Sequence, residues 1–420
     1  YSELIPGLYK WRCATHLKLQ ATSSSSRRRS GKLPVCYLTL PRTTMVHQAQ
    51  GLLVQEVAAD GELPSRYVLK EQQGRPAAAT AAAAQRAAPS IPAVDVSRLA
   101  DADPGEADKL RSALGSWGLF AVTGHGMTDP FLDAILGAAR GFFHLPTEAK
   151  QEYSNVVDAD DGGRKFQPEG YGVDRVDTDE QVLDWCDRLY LQVRPDDARQ
   201  LRFWPTHPPD LAELLKEFSV EGEKVAKIAV TAMARCLGFE DGFFVDKVGE
   251  RMPSYARFTY YPPCPCPDLV HGLKPHTDNS VVTVLLLDEQ VGGLQVLKDG
   301  SWVDVPVLGG GRHQLLVVVG DEMEIMSNAA FRAPVHRVVA PGEEAERVSL
   351  AVFYQPEPDK VLEPSPELVD GERPAMYKKL QAKVFADGFW DAFALGERTI
   401  DFLKVKVDAV DPPAAAVSGA

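Results

Sequence analysis

Basic residues are scarce in this sequence relative to acidic ones. The 420 residues hold 45 Lys and Arg against 59 Asp and Glu, a formal net charge of −14. That argues against a nucleic-acid partner, which demands clustered positive charge. Long apolar runs are missing, so no bilayer span is expected and the chain reads as soluble. Cysteines are few and scattered, six in all, which speaks against a disulfide framework and for a reducing compartment. Cys264 and Cys266 in YPPCPCPD stand closer together than structural zinc ligands usually do, and the flanking prolines point to a rigid turn. No phosphate-binding loop, no Ser-His-Asp order and no internal repeat is evident.

What is present is ordinary globular material, 45% hydrophobic and 25% charged, enough for one large domain or two smaller ones. Residues 1–44 stand apart: they contain SSSSRRRSGK, have Glu3 as their single acid, and precede the first methionine, Met45. Such a leader resembles an organelle transit peptide, which would imply a plastid. It also fits upstream sequence carried by a gene model. We favour the latter because no amphipathic helix is apparent, and the expected location is then cytoplasmic. Residues 45–90 read as a helical segment followed by an Ala-rich linker, GRPAAATAAAAQRAAPS.

Residues 91–240 read as a mainly helical N-terminal domain. IPAVDVSRL gives a short strand running into a turn, and DADPGEADKLRSALGSWG a helix ending at Gly118. LFAVTGHGM is another strand, with His125 organising its turn, and PFLDAILGAARGFFHLP an amphipathic helix stopped by Pro146. DADDGGRK (158–165) is a polar loop. Residues 209–237 carry the longest helical pattern, with a break expected near Gly222. Over 241–360 the period changes. YARFTYY, VVTVLLL, LQVL, SWVDV, QLLVVVG, APVHRVV and VSLAVFY are short β-branched and aromatic segments, which argue for a sandwich or barrel, most plausibly a jelly roll. Asp321 and Glu324 have capping-box spacing for a short helix, and glycines 309–311 suit a tight connection. Residues 361–420 return to helix in PAMYKKLQAKVFADGFWDAF before a tail.

The stretch HTDNSVVTVLL raises the functional question. Residues i and i+2 of a strand share a side, so His276 and Asp278 face one direction and could chelate one cation. His336, in the otherwise apolar APVHRVV, offers a third ligand. Two imidazoles and a carboxylate make a facial triad with open positions, suited to non-haem Fe(II); zinc would also accept these atoms. Taken singly, the His-x-Asp triplet fits a solvated strand end and His336 a satisfied core histidine.

Eleven positions beyond His336, Arg347 and Ser349 share a face of the strand RVSLAVF. A guanidinium there needs an anion. A protein carboxylate could supply it, or a dicarboxylic acid that chelates the metal at one end and meets Arg347 and Ser349 at the other.

His-x-Asp, a distal His and Arg-x-Ser, preceded by FTYYPPCPCPDLVHGLKPHTD, resemble the plant 2-oxoglutarate/Fe(II)-dependent dioxygenases. IPAVDVSRL, WGLFAVTGHGM, GGLQVLKDGSWVDVPV and GDEMEIMSN match in order, and the similarity runs from about residue 52 to beyond 400. The resemblance implies an α+β protein with a double-stranded β-helix core flanked by helices. It implies Fe(II) on His276, Asp278 and His336, with 2-oxoglutarate and O2 as cosubstrates, and leaves room for ascorbate. Tyr261 would touch the oxoglutarate carboxylate next to iron. Thr259 stands where the family usually has Asn, so the amide that often helps hold oxoglutarate is replaced by a shorter hydroxyl.

The family couples oxidative decarboxylation of 2-oxoglutarate, to succinate and CO2, with oxidation of a small molecule. Phe353, on the face of Arg347 and Ser349, would pack against a ring-bearing substrate, or is an ordinary core residue. Phe331 and Phe166 are further pocket candidates, Phe166 in KFQPEGYG, a stretch like the family's pocket-edge loop. WCDRLYLQVRPDDARQLRFWP and VHGLKPHTD look closest to grass enzymes related to the rice triketone-herbicide-oxidising dioxygenases. Bulky cyclic specialised metabolites or xenobiotics are therefore expected. Flavonoid or hormone oxidation stays open, though Gln355 stands where some flavonoid enzymes carry an acid. The competing functions are a zinc hydrolase on the same ligands, and a binding protein that keeps the fold without turnover. A monomer is expected.

Overall fold

The computed structural model describes residues 53–59, 63–70, 91–158, 164–307 and 313–405. The leader, the Ala-rich linker and glycines 309–311 lie outside them, as do the expectations placed there.

A short helix, α1 (Val54–Ala59), precedes β1 (Ala93–Asp95), which runs straight into α2 (Val96–Ala100). The sequence pattern predicts a turn at this point. Instead Asp95 caps a helix, its Oδ1 accepting from the N–H groups of Ser97 and Arg98 at 3.0 and 3.3 Å. Then come α3 (Pro104–Ser116), β2 (Leu119–Thr123), α4 (Asp129–Phe143) and α5 (Thr147–Gln151). β3 (Val156–Asp158) and β4 (Arg164–Phe166) pair antiparallel; residues 159–163 of the stretch read as a polar loop lie outside the described residues. β5 (Gly170–Gly172) and β6 (Asp187–Arg194) follow, then α6 (Leu211–Cys236) and α7 (Gly242–Val248).

α6 is unbroken at Gly222. A Cβ there would lie 2.6 Å from Tyr354 Oη, so glycine allows the helix to approach the sheet rather than interrupting it. The remaining strands are β7 (Ser254–Tyr261), β8 (His271–His276), β9 (Val282–Leu286), β10 (Leu294–Lys298), β11 (Ser301–Asp304) and β12 (Leu315–Val319). After α8 (Asp321–Met326) come β13 (His336–Val339), β14 (Arg347–Tyr354), β15 (Val361–Leu362), β16 (Leu380–Gln381) and α9 (Ala382–Ala394).

Eight strands form one sheet in the order β1-β2-β12-β9-β14-β7-β6-β5, and four form another, β11-β10-β13-β8. The period-two alternation of each long strand sorts its side chains. Val348, Leu350, Val352 and Tyr354 of β14, with Ala256, Phe258 and Tyr260 of β7, enter a core shared with Phe218, Val225 and Ala229 of α6. The opposite face of the large sheet looks toward the small one, and a cavity opens between them, with residues of both on its wall. This is the expected jelly-roll core with helices against one face. Among the described residues no helix is long and apolar enough to cross a membrane.

Candidate active site

β8 ends at His276, and Asp278 follows in the loop before β9. His336 opens β13, whose register sets it directly opposite His276. The two imidazole centroids are 4.2 Å apart. Asp278 Oδ1 lies 3.7 Å from His276 Nε2 and 3.6 Å from His336 Nε2. Each Nδ1 sits against a backbone carbonyl, Lys274 O at 2.8 Å and Pro334 O at 3.1 Å. A carbonyl only accepts, so both Nδ1 atoms carry the hydrogen and both Nε2 lone pairs face Asp278. Burial, then the neighbouring His336, holds the His276 imidazole well below its usual pKa. The set is three acceptors around one gap, a donor chemistry that fits a divalent cation.

A second group, Asp133, Glu289 and His313, also brings possible ligand atoms together. Its contacts are shorter: His313 Nε2 is 2.6 Å from Asp133 Oδ1 and 3.0 Å from Glu289 Oε2. The Asp133 contact is a hydrogen bond, with a proton between the partners, whereas the first group leaves ion-sized separations.

The wall beside the triad comes from alternating residues of β14: Arg347, Ser349, Ala351 and Phe353 all line the cavity. Arg347 is 2% exposed, its Nη1 donates to Ser349 Oγ at 3.4 Å, and its Nε has no hydrogen-bond partner. No protein carboxylate pairs with it among the described residues, so the structural salt bridge weighed from sequence is absent. Tyr261, directly across the ladder, places its ring 5.0 Å from the guanidinium carbon. The resemblance put Tyr261 on the carboxylate next to iron; the structure packs it with the pair expected to grip the far one. Burial pushes its phenol up to about 12, with Arg347 opposing, so it stays a donor at neutral pH. Thr259 lines the cavity opposite Ser349, and its Oγ1 accepts from Arg257 Nε at 3.0 Å.

The cavity holds about 740 Å³ of empty space, open solvent at its mouth included. Phe353 is on its wall. Phe166 is not, but its ring lies 5.6 Å from that of Trp390, which is. Phe331 is elsewhere: it is 4% exposed in the core shared with α6. Its N–H donates to Ser327 Oγ at 3.1 Å, fixing it to the turn after α8 rather than to the cavity. Gln355 stands behind the wall, its Nε2 donating to Asn279 Oδ1 at 3.3 Å.

Two groups of site residues escaped the sequence reading, and Asp321 has a different role from the one expected. Phe389, Trp390 and Phe393 come from α9; in FWDAF, Phe393 falls three residues after Trp390 and four after Phe389, the spacing of one helix face, yet the stretch reads equally as core. Tyr190 and Arg257 come from β6 and β7; Arg257 was reachable, being two and four residues before Thr259 and Tyr261. Finally, Asp321 does not cap α8. Gly320 occupies that position without a side-chain bond. Asp321 Oδ2 instead accepts from Thr277 Oγ1 at 3.1 Å, and its N–H donates to Asp278 O at 2.7 Å.

The profile of the 2OG-Fe(II) oxygenase superfamily matches residues 254–356, and that described as non-haem dioxygenase in morphine synthesis N-terminal matches 91–207. The chain is 34% identical over 319 residues to 2-oxoglutarate-dependent dioxygenase 11 of Oryza sativa subsp. japonica, covering 75% of this chain and 85% of that one. It is 35% identical over 321 residues to jasmonate-induced oxygenase 2 of Arabidopsis thaliana, covering 75% and 82%. The crystal structure of JOX2 in complex with 2OG, Fe and JA superposes with a TM-score of 0.72 at 30% identity, covering 84% of this chain and 98% of that one.

Proposed function

Because this chain belongs to the 2OG-Fe(II) oxygenase superfamily, we propose that His276, Asp278 and His336 hold its ferrous ion and that Arg347, Ser349 and Tyr261 hold its 2-oxoglutarate. The protein is a 2-oxoglutarate-dependent dioxygenase, and Fe(II) and 2-oxoglutarate are its cofactor and cosubstrate. One observation carries the assignment of residues: three converging acceptors share a cavity with a buried guanidinium that has no protein anion. A zinc hydrolase would use the first feature and leave the second without a role.

When bound, iron with 2-oxoglutarate and O2 supplies the oxidation, and succinate and CO2 leave. The residues of this chain set the geometry. The carbonyls of Lys274 and Pro334 fix both imidazoles in the tautomer that presents Nε2. α8 steadies Asp278 through the Asp321 N–H. Arg347 and Ser349 offer a fork and a hydroxyl to a carboxylate, and Tyr261 adds a phenol. The mostly apolar wall limits water at the reacting centre.

The substrate is a bulky cyclic small molecule, a specialised metabolite or xenobiotic, triketones among the candidates. Five aromatic side chains support this: Tyr190, Phe353, Phe389, Trp390 and Phe393 all line the cavity. Rings and aliphatic cycles pack against such faces. The test screens purified protein against phenolics, terpenoids and triketones, with succinate as readout. Fe(II)-dependent succinate release stimulated by ring compounds is expected. Activity that needs zinc and ignores 2-oxoglutarate would reject the proposal.

A further inference from the structure

We infer that the substrate carries an acidic group, a carboxylate or its equivalent, received by Arg257 and Arg188 at the aromatic wall of the cavity. This rests on the oxygenase reading of the same site and adds a charge to its substrate.

β6 and β7 are neighbours, with Arg188 opposite Thr259 and Tyr190 opposite Arg257. Both guanidiniums are buried, Arg188 at 0% and Arg257 at 6% exposure. A single carboxylate serves the two. Asp174 Oδ1 accepts from Arg188 Nε and Arg257 Nη1, each at 2.8 Å, and Oδ2 from Arg257 Nη2 at 2.9 Å. Burial opposes ionisation of Asp174, but Arg257 and then Arg188 outweigh it and hold the carboxyl well below its usual range. Two positive charges thus share one negative charge. The adjoining Lys274–Asp184 pair, at 3.2 Å, balances itself. Among the described residues no other carboxylate pairs with either arginine.

The cofactors cannot make up the difference. In the loaded site the ferrous ion and Arg347 are matched by Asp278 and the oxoglutarate dianion, leaving nothing for Arg188 and Arg257. A surplus charge in a buried setting is unfavourable until an anion reaches it.

Donors for such an anion exist. Arg257 lines the cavity and commits only three of its five N–H groups, to Asp174 and to Thr259 Oγ1. Arg188 Nη2 has no hydrogen-bond partner. Its guanidinium carbon lies 5.7, 5.4 and 5.1 Å from the rings of Phe166, Tyr190 and Trp390. Those rings stabilise a cation without neutralising it, and Tyr190 and Trp390 face the cavity themselves. An acid on a short arm from a ring would place the ring on the aromatics and its charge toward Arg257.

The test compares phenylacetic, cyclohexylacetic and naphthylacetic acids with their own methyl esters, on full-length protein loaded with Mn(II) and 2-oxoglutarate for calorimetric binding. The same compounds are then tried with Fe(II) for stimulated succinate release. The acids should bind at least about tenfold more tightly than their esters, weakening as salt rises. That preference should shrink to about twofold in Arg257→Gln and stay largely intact in Arg257→Lys, which keeps the charge. Esters that bind as well as the acids on the wild-type protein overturn the inference, whether or not the variants fold, and succinate release stimulated equally by both would leave the oxygenase reading standing alone. Acid-selective binding without succinate under any condition would do the reverse.

Discussion

Arg347 stands directly across the β14–β7 ladder from Tyr261, its guanidinium carbon 5.0 Å from the phenol ring, and its Nε reaches no hydrogen-bond acceptor. A buried charge without a counter-ion is tolerated only where a ligand provides one. Arg347→Met should therefore raise the 2-oxoglutarate requirement by roughly 100-fold or more, the equivalent of about 3–5 kcal/mol for a broken buried pair. Steady-state succinate formation at varied 2-oxoglutarate checks it. An unchanged KM would remove Arg347 from the cosubstrate site.

Gly320 packs so closely on the loop after Asp278 that a Cβ would sit 1.8 Å from Ser280 O. The N–H groups of Asp321 and Glu322 donate to Asp278 O and Ser280 O at 2.7 and 3.1 Å. Gly320→Ala must push α8 away from this loop, and a loss of about 1–3 kcal/mol of stability is expected from such overpacking. Metal affinity should fall with it. Urea denaturation and Mn(II) titration of the variant measure the two effects separately.

Some of this was legible in the sequence and some was not. All seven segments read as strands after residue 255 are strands, because β-branched alternation between glycines and prolines leaves little choice. β8 went unread although it carries His276: HGLKPH holds a glycine, a lysine and a proline and shows no apolar alternation. β6 was likewise missed, since it carries the buried Arg188, a charge that breaks the expected pattern until Asp174 is seen beside it. His276, Asp278 and His336 could be picked out by residue type as a candidate ligand set, and the structure brings them together, although Asp278 lies in the loop after β8 and not on the strand that the i, i+2 reading assumed. The aromatic wall could not, because Phe389, Trp390 and Phe393 look the same in sequence whether they face a core or a cavity.

Asp187 gives a prediction at a distance from the chemistry. It is fully buried on β6 and accepts from the N–H groups of Val54 and Gln55 at 2.7 and 3.0 Å, holding α1 to the sheet. Burial pushes its carboxyl up to about 6. The folded form therefore keeps the proton to a higher pH than the unfolded chain, which releases it near pH 4. This group's contribution is largest below about pH 4, declines as pH rises toward 6 and is level above. Between pH 5 and 7 it should cost the wild-type protein about 1 kcal/mol that Asp187→Asn does not lose. Urea midpoints of both proteins across that interval give the comparison; parallel curves would contradict it.

Trp390 touches both the cavity and the two flanking features, Phe166 at 5.6 Å and Arg188 at 5.1 Å. Trp390→Ala should weaken binding of ring compounds by about 10-fold or more through lost aromatic contact. The KM for 2-oxoglutarate should hardly move. Parallel titrations of both ligands separate a substrate wall from general loosening of the fold.

The claim beneath all of these is that one ferrous ion sits between His276, Asp278 and His336. Diffraction from Fe(II)-loaded crystals, recorded at the iron absorption edge, tests it directly. One anomalous peak should appear about 2.0–2.2 Å from His276 Nε2, an Asp278 carboxylate oxygen and His336 Nε2. A peak at Asp133, Glu289 and His313 alone, or none between the two imidazoles, would contradict the account.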